Sequence, residues 1–120
     1  MSAHTPHEVE VSIGHLRHML PYPVRQAVRI GDKVVVLLDP DAYLSDPEYG
    51  TERRRGVDPI RNLRAYSETG QLVWEAEMPE ACDYYYRLTS SQPLKALTFS
   101  SYECTLDPVS GRIISRKFLK

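Results

Sequence analysis

At 120 residues the chain has the length of one domain able to bury a core of its own, and its 42% hydrophobic and 26% charged content excludes a disordered chain. Lys and Arg number 15 against 16 Asp and Glu, a net charge of −1 that excludes the clustered positive charge general nucleic-acid binding requires. The longest apolar run, Val34–Leu38, is too short to cross a bilayer as a helix, so no membrane partner is expected.

Residues 1–20 form a polar, histidine-rich N-terminal segment. It has no basic stretch leading into an apolar run, so no signal peptide is expected and the protein is placed in the cytoplasm. Within it Val9, Val11 and Ile13 alternate with polar neighbours, the period of a half-buried strand, and a short helix over Glu8–Met19 competes with that assignment. Pro21 and Pro23 then force an extended entry into Val24.

From Val24 to Ile30 and from Lys33 to Leu38 two β-rich runs flank Gly31-Asp32, the signature of a tight hairpin. The second run is apolar without interruption, which predicts a strand covered on both faces. Residues 39–60, with three Asp-Pro pairs and no periodicity, read as a long loop of the kind that carries function. Strand runs then follow at 62–66, 71–77, 84–89, 94–99, 102–106 and 112–118. Their turns lie at Ser67–Gly70, Ser90–Pro93, Ser100-Ser101 and Asp107–Gly111.

Three turn glycines, Gly31, Gly70 and Gly111, are spaced 39 and 41 residues apart, and a strand follows each. Around the last two, Ala65-x-Ser67-x-Thr69-Gly70-x-x-x-Trp74 aligns with Thr105-x-Asp107-x-x-Ser110-Gly111, one residue longer before its glycine. A repeat near 40 residues of four-stranded character is the spacing of β-propeller blades. Ala65, Thr69, Gly70 and Trp74 resemble the tryptophan-docking repeat of pyrroloquinoline-quinone-type propeller blades, and Asp107–Gly111 resembles a degenerate second copy. The resemblance covers Val24–Phe118 with 39–60 as an insertion. It implies a strand–turn–strand fold in which Trp74 packs against the neighbouring blade. Ser67 replaces the Asp of the motif, Ser115 stands where the second Trp would be, and two blades cannot close a propeller channel. Quinone-dependent activity is therefore not implied, and no cofactor is expected.

Few side chains suggest chemistry. All four histidines, His4, His7, His15 and His18, fall in the N-terminal segment. Imidazoles so grouped can ligate zinc or nickel, but a solvated tail is the plainer reading. Arg53, Arg54 and Arg55 sit with Tyr49 in the long loop among six carboxylates and are candidates for partner contact. Tyr84, Tyr85 and Tyr86 alternate in direction along a strand, which sends at least one ring toward solvent or an interface. Cys104 alternates with Tyr102 and Leu106 and reads as core, while Cys82 lies among acids that blunt its reactivity. Whether these two cysteines pair is left open.

The expectation is an all-β single domain over residues 1–120, an antiparallel meander of about eight strands. Two propeller-blade-like sheets, 24–77 with 39–60 inserted and 84–118, pack as a sandwich. Its expected role is non-catalytic protein binding, in its sharpest form an immunity- or antitoxin-like protein that neutralises a toxin, through Tyr49, Arg53–Arg55 and Tyr84–Tyr86. A homodimer is left open. The alternative is a small-molecule or metal-binding protein using the histidine segment.

Overall fold

The computed structural model describes residues 20, 22–45, 61–79 and 83–119. The expected N-terminal strand or helix, the four histidines, Tyr49, Arg53–Arg55 and Cys82 lie outside the described residues. The described chain is all-β. Strands β1 (Val24–Ile30), β2 (Lys33–Leu38), β3 (Leu63–Ser67) and β4 (Leu72–Glu75) form one antiparallel four-stranded meander. Strands β5 (Tyr85–Ser91), β6 (Leu94–Thr98), β7 (Tyr102–Leu106) and β8 (Ile113–Phe118) form the second.

One apolar layer joins the sheets. Val35, Leu37, Leu63 and Ala65 from the first meet Tyr85, Leu94, Ala96, Cys104 and Leu106 from the second in a single buried cluster. On the opposite face of the first sheet Val34, Val36, Leu38 and Tyr66 form a separate cluster, against which Leu20, Tyr22, Val24 and Ala27 pack. Strand β2 is therefore buried on both faces, which is why Val34–Leu38 carries no polar residue. The outer face of the second sheet differs. Lys95, Glu103, Thr105, Ser115 and Lys117 stand opposite the core-facing residues, leaving Leu97 as the buried apolar side chain there. That polar face needs no further sheet to cover it.

Gly70 and Gly111 occupy equivalent turns, each between the third and fourth strands of its sheet, with φ of 90° and 74°. Such left-handed values exclude most side chains. In the first of these turns the Ser67 amide donates to the Gln71 carbonyl at 2.8 Å and the Gln71 amide to Ser67 Oγ at 3.1 Å. In the second the Gly111 amide donates to the Asp107 carbonyl at 2.7 Å and the Val109 amide to Asp107 Oδ1 at 2.9 Å. The side chain two residues after Ala65 and Thr105 thus closes both turns. Gly31 is not part of this pair: it closes the hairpin between first and second strands, where the second sheet uses Gln92-Pro93 instead.

Three contacts beyond the apolar layer fix the sheets on one another. The Trp74 ring lies flat against Gly111, so closely that a Cβ there would fall 2.5 Å from Cε3, and its Nε1 donates to the Pro108 carbonyl at 2.9 Å. The fully buried Asn62 donates from Nδ2 to the carbonyls of Leu38 at 3.1 Å and Tyr85 at 2.6 Å. Its Oδ1 accepts from the Tyr85 amide at 3.1 Å, so one side chain pairs with strand backbone of both sheets. At the facing edges of β1 and β5, Gln26 Oε1 accepts from the Leu88 amide at 2.8 Å.

The reading of residues 39–60 as loop throughout requires correction. A short helix, α1 (Pro40–Leu44), starts directly after β2. Asp39 caps it, its Oδ1 accepting from the Asp41 amide at 2.9 Å, and Pro40 takes the first helical position, where no amide hydrogen is needed. The Asp-Pro pair that suggested a turn is here a helix start.

The Gly111–Trp74 contact generates a stability prediction. Gly111→Ala sets a methyl group into the indole and holds alanine at positive φ, an expected loss of about 3 kcal/mol. Gly31→Ala, at φ 61° with nothing within 4 Å of the new Cβ, is expected to lose only about 1 kcal/mol. Urea unfolding of both variants checks the difference, and equal losses would remove the indole contact from the account.

Candidate functional site

A concavity lies where the start of β1, the start of α1, the entry to β5 and the β6–β7 turn converge. It is an open groove of about 400 Å³ lined by Arg25, Pro40, Asp41, Tyr84, Tyr86 and Phe99. The α1 end is tied to β1 by the Asp39 amide, which donates to the Pro23 carbonyl at 2.8 Å. This bond brings Arg25 and Asp41, of opposite charge, to the same groove.

The aromatic wall is held by a polar clamp beneath it. Asp83, only 4% exposed, accepts from the Tyr84 amide at 2.8 Å, from the Ser100 amide at 3.3 Å, and from the Ser100 hydroxyl. Thr98 Oγ1 lies 3.2 Å from Ser100 Oγ and accepts from the Tyr102 amide at 3.1 Å. Ser101 closes the turn with φ of 74°, a conformation a non-glycine residue adopts only where its surroundings impose it. The Phe99 amide donates to the Tyr84 carbonyl at 2.9 Å. With its backbone so fixed, Phe99 stays 67% exposed while its ring stacks on Tyr84 at 5.2 Å and 20°. A large ring exposed on a rigid turn, with a tyrosine behind it, has the form of a binding anchor.

The tyrosine run divides as its alternation requires. Tyr84 and Tyr86 are half-buried and line the groove. Tyr85 is corrected: it is fully buried in the layer between the sheets, its hydroxyl donates to the Glu77 carbonyl, and it is no partner contact. Alternation sends either the middle residue of three or its two neighbours toward the core, and here it is the middle one. The groove also contains residues that sequence reasoning missed. Phe99 looked like the last residue of β6; the following Ser100-Ser101 was the only sign that it stands on a turn. Arg25 and Asp41 are 16 positions apart in sequence, so nothing local joins them.

Cys104 offers no nucleophile. It is a free, buried thiol beside the Tyr85 hydroxyl. Burial pushes the thiol above its ordinary value of 9.0, outweighing the hydrogen bond with Tyr85 that lowers it. Burial likewise pushes the Tyr85 phenol far above its ordinary 10.0. Among the described residues no group of three or more His, Cys, Asp or Glu could hold a metal ion, and no helix is long and apolar enough to cross a membrane.

Residues 1–118 match a family described as a domain of unknown function, DUF7957. The chain belongs to that family. No curated protein and no solved structure matches it. For this DUF7957 member, function has to be read from the groove and the sheet edges.

The buried thiol and phenol set an alkaline limit on stability. The fold holds both protons more tightly than the unfolded chain, whose ordinary values are 9.0 and 10.0, so the unfolded chain binds fewer protons at high pH. Their contribution is fully present well below pH 9 and is lost as pH rises through and beyond the unfolded values. Urea unfolding across that range should show the fall, with a shallower slope in Cys104→Ala. An identical slope in the variant would separate Cys104 from the effect.

Proposed function

We propose that this DUF7957 chain is a non-catalytic binding module for a protein partner and that the Tyr84–Tyr86–Phe99 groove is its contact surface. The single observation carrying this reading is Phe99, an exposed ring held on a clamped turn and backed by Tyr84. Tyr and Phe anchors of this kind supply large contact area at little entropic cost, and the opposite charges of Arg25 and Asp41 at the same groove can orient a partner. A shallow, open groove suits a protein surface better than an enclosed small molecule. The elevated pKa of Cys104 speaks against thiol catalysis, in keeping with a binding role.

Two stacked four-stranded sheets with Trp74 set against the turn of the next sheet also support the blade-like resemblance. On that resemblance the sharpest form of the reading is an immunity- or antitoxin-like module that neutralises a toxin by direct contact.

A photo-cross-linking residue at position 86, compared with one at Thr105 on the polar outer face, tests the surface. The partner should be captured from position 86 alone. With the purified partner, Phe99→Ala should weaken binding by about tenfold or more while leaving thermal unfolding unchanged. Equal capture from both positions, or unchanged affinity, would exclude the groove.

A further inference from the structure

Seven large apolar side chains stand exposed among the described residues, and six of them do not line the groove. Leu72 and Val73 are on β4, Val109 is in the β7–β8 turn, and Ile114, Phe118 and Leu119 are on or just after β8. Beyond Ile113 every residue of β8 is exposed. The strand pairs with β7 on one side, and among the described residues no strand pairs with its outer edge. A long exposed edge with apolar side chains is a template for another strand.

The chain itself shows what this edge accepts. At its beginning the linker after β4 runs beside it: the Glu77 amide donates to the Gly111 carbonyl at 2.9 Å, and Glu77 Oε1 accepts from the Ile113 amide at 2.8 Å. Two residues on, the Pro79 carbonyl accepts from Arg116 Nη1 at 2.8 Å. A carboxylate on an extended segment is thus already seated at the first position of the edge. The charge of β8 fits the same chemistry. Arg112 precedes it and Arg116 and Lys117 lie on it, with no acidic residue in the strand. Acids of the described residues beside it include Glu103, the cross-strand neighbour of Lys117, and Glu77.

We infer that the outer edge of β8, from Ile114 to Phe118, is a β-augmentation site for an extended segment of another protein in which acidic and apolar residues alternate. Its backbone extends the second sheet, its carboxylates meet Lys117 and Arg112, and its apolar side chains cover Ile114 and Phe118. A second copy of β8 is the poorer occupant, because antiparallel self-pairing sets cations against cations. The site is separate from the aromatic groove and does not depend on it.

The probe is an end-blocked octapeptide of alternating Glu and Val, with a Lys–Val peptide as its counterpart. The Glu–Val peptide should bind and slow hydrogen exchange of the amides between Ile114 and Phe118 that point away from β7, while the Lys–Val peptide should do neither. Lys117→Glu and Ile114→Glu, both at exposed positions, should each weaken Glu–Val binding by about tenfold or more, and Phe99→Ala should leave it unchanged. Equal binding of both peptides, or binding without protection of the β8 amides, would overturn the proposal. So would β8 amides already protected in a concentration-dependent dimer of the protein alone.

Discussion

The fold depends on a contact in which one side chain takes the space another residue leaves vacant. Trp74 lies against Gly111, and the indole fits because position 111 has neither a Cβ nor a negative φ. The same glycine permits the left-handed turn between β7 and β8, so one residue serves both the hairpin of the second sheet and its attachment to the first. The indole hydrogen bond to Pro108 then fixes where along the turn the ring sits. Neither four-stranded sheet has two covered faces alone, and a small sheet with one apolar face is stable only when that face is buried.

A second constraint acts at the centre of the sandwich. Asn62 pairs with backbone groups of β2 and β5, replacing at one point the ladder that two separate sheets cannot form between them. Buried backbone groups left unpaired are costly, so a side-chain amide that satisfies three of them also sets the register of one sheet over the other. Tyr85 follows from this placement. Its amide and carbonyl are held by Asn62, its ring enters the apolar layer, and its hydroxyl reaches Glu77 on the linker.

Seen from that buried tyrosine, the groove and the edge are its consequences in two directions. Fixing Tyr85 inward turns Tyr84 and Tyr86 outward beside Phe99, whose turn is held by Asp83. Holding Glu77 against Tyr85 and Gly111 brings the linker to the beginning of β8. Both surfaces therefore stand on backbone held by hydrogen bonds.

Strand existence and order were legible in the sequence because alternation, unbroken apolar runs and turn residues are local signals. The two-sided burial of Val34–Leu38 and the equivalence of Gly70 and Gly111 were read from such signals and are present in the structure. Local signals were also ambiguous where one motif serves two structures: Asp39-Pro40 starts a helix as readily as it makes a turn, and in the structure the Asp39 side chain caps the helix while its amide donates to the Pro23 carbonyl before β1. The choice of Tyr85 as the inward residue, the exposure of Phe99 and the meeting of Arg25 with Asp41 required the tertiary structure. Each depends on which face of a strand meets the other sheet, and a strand with apolar residues on both faces does not encode that choice in its own period.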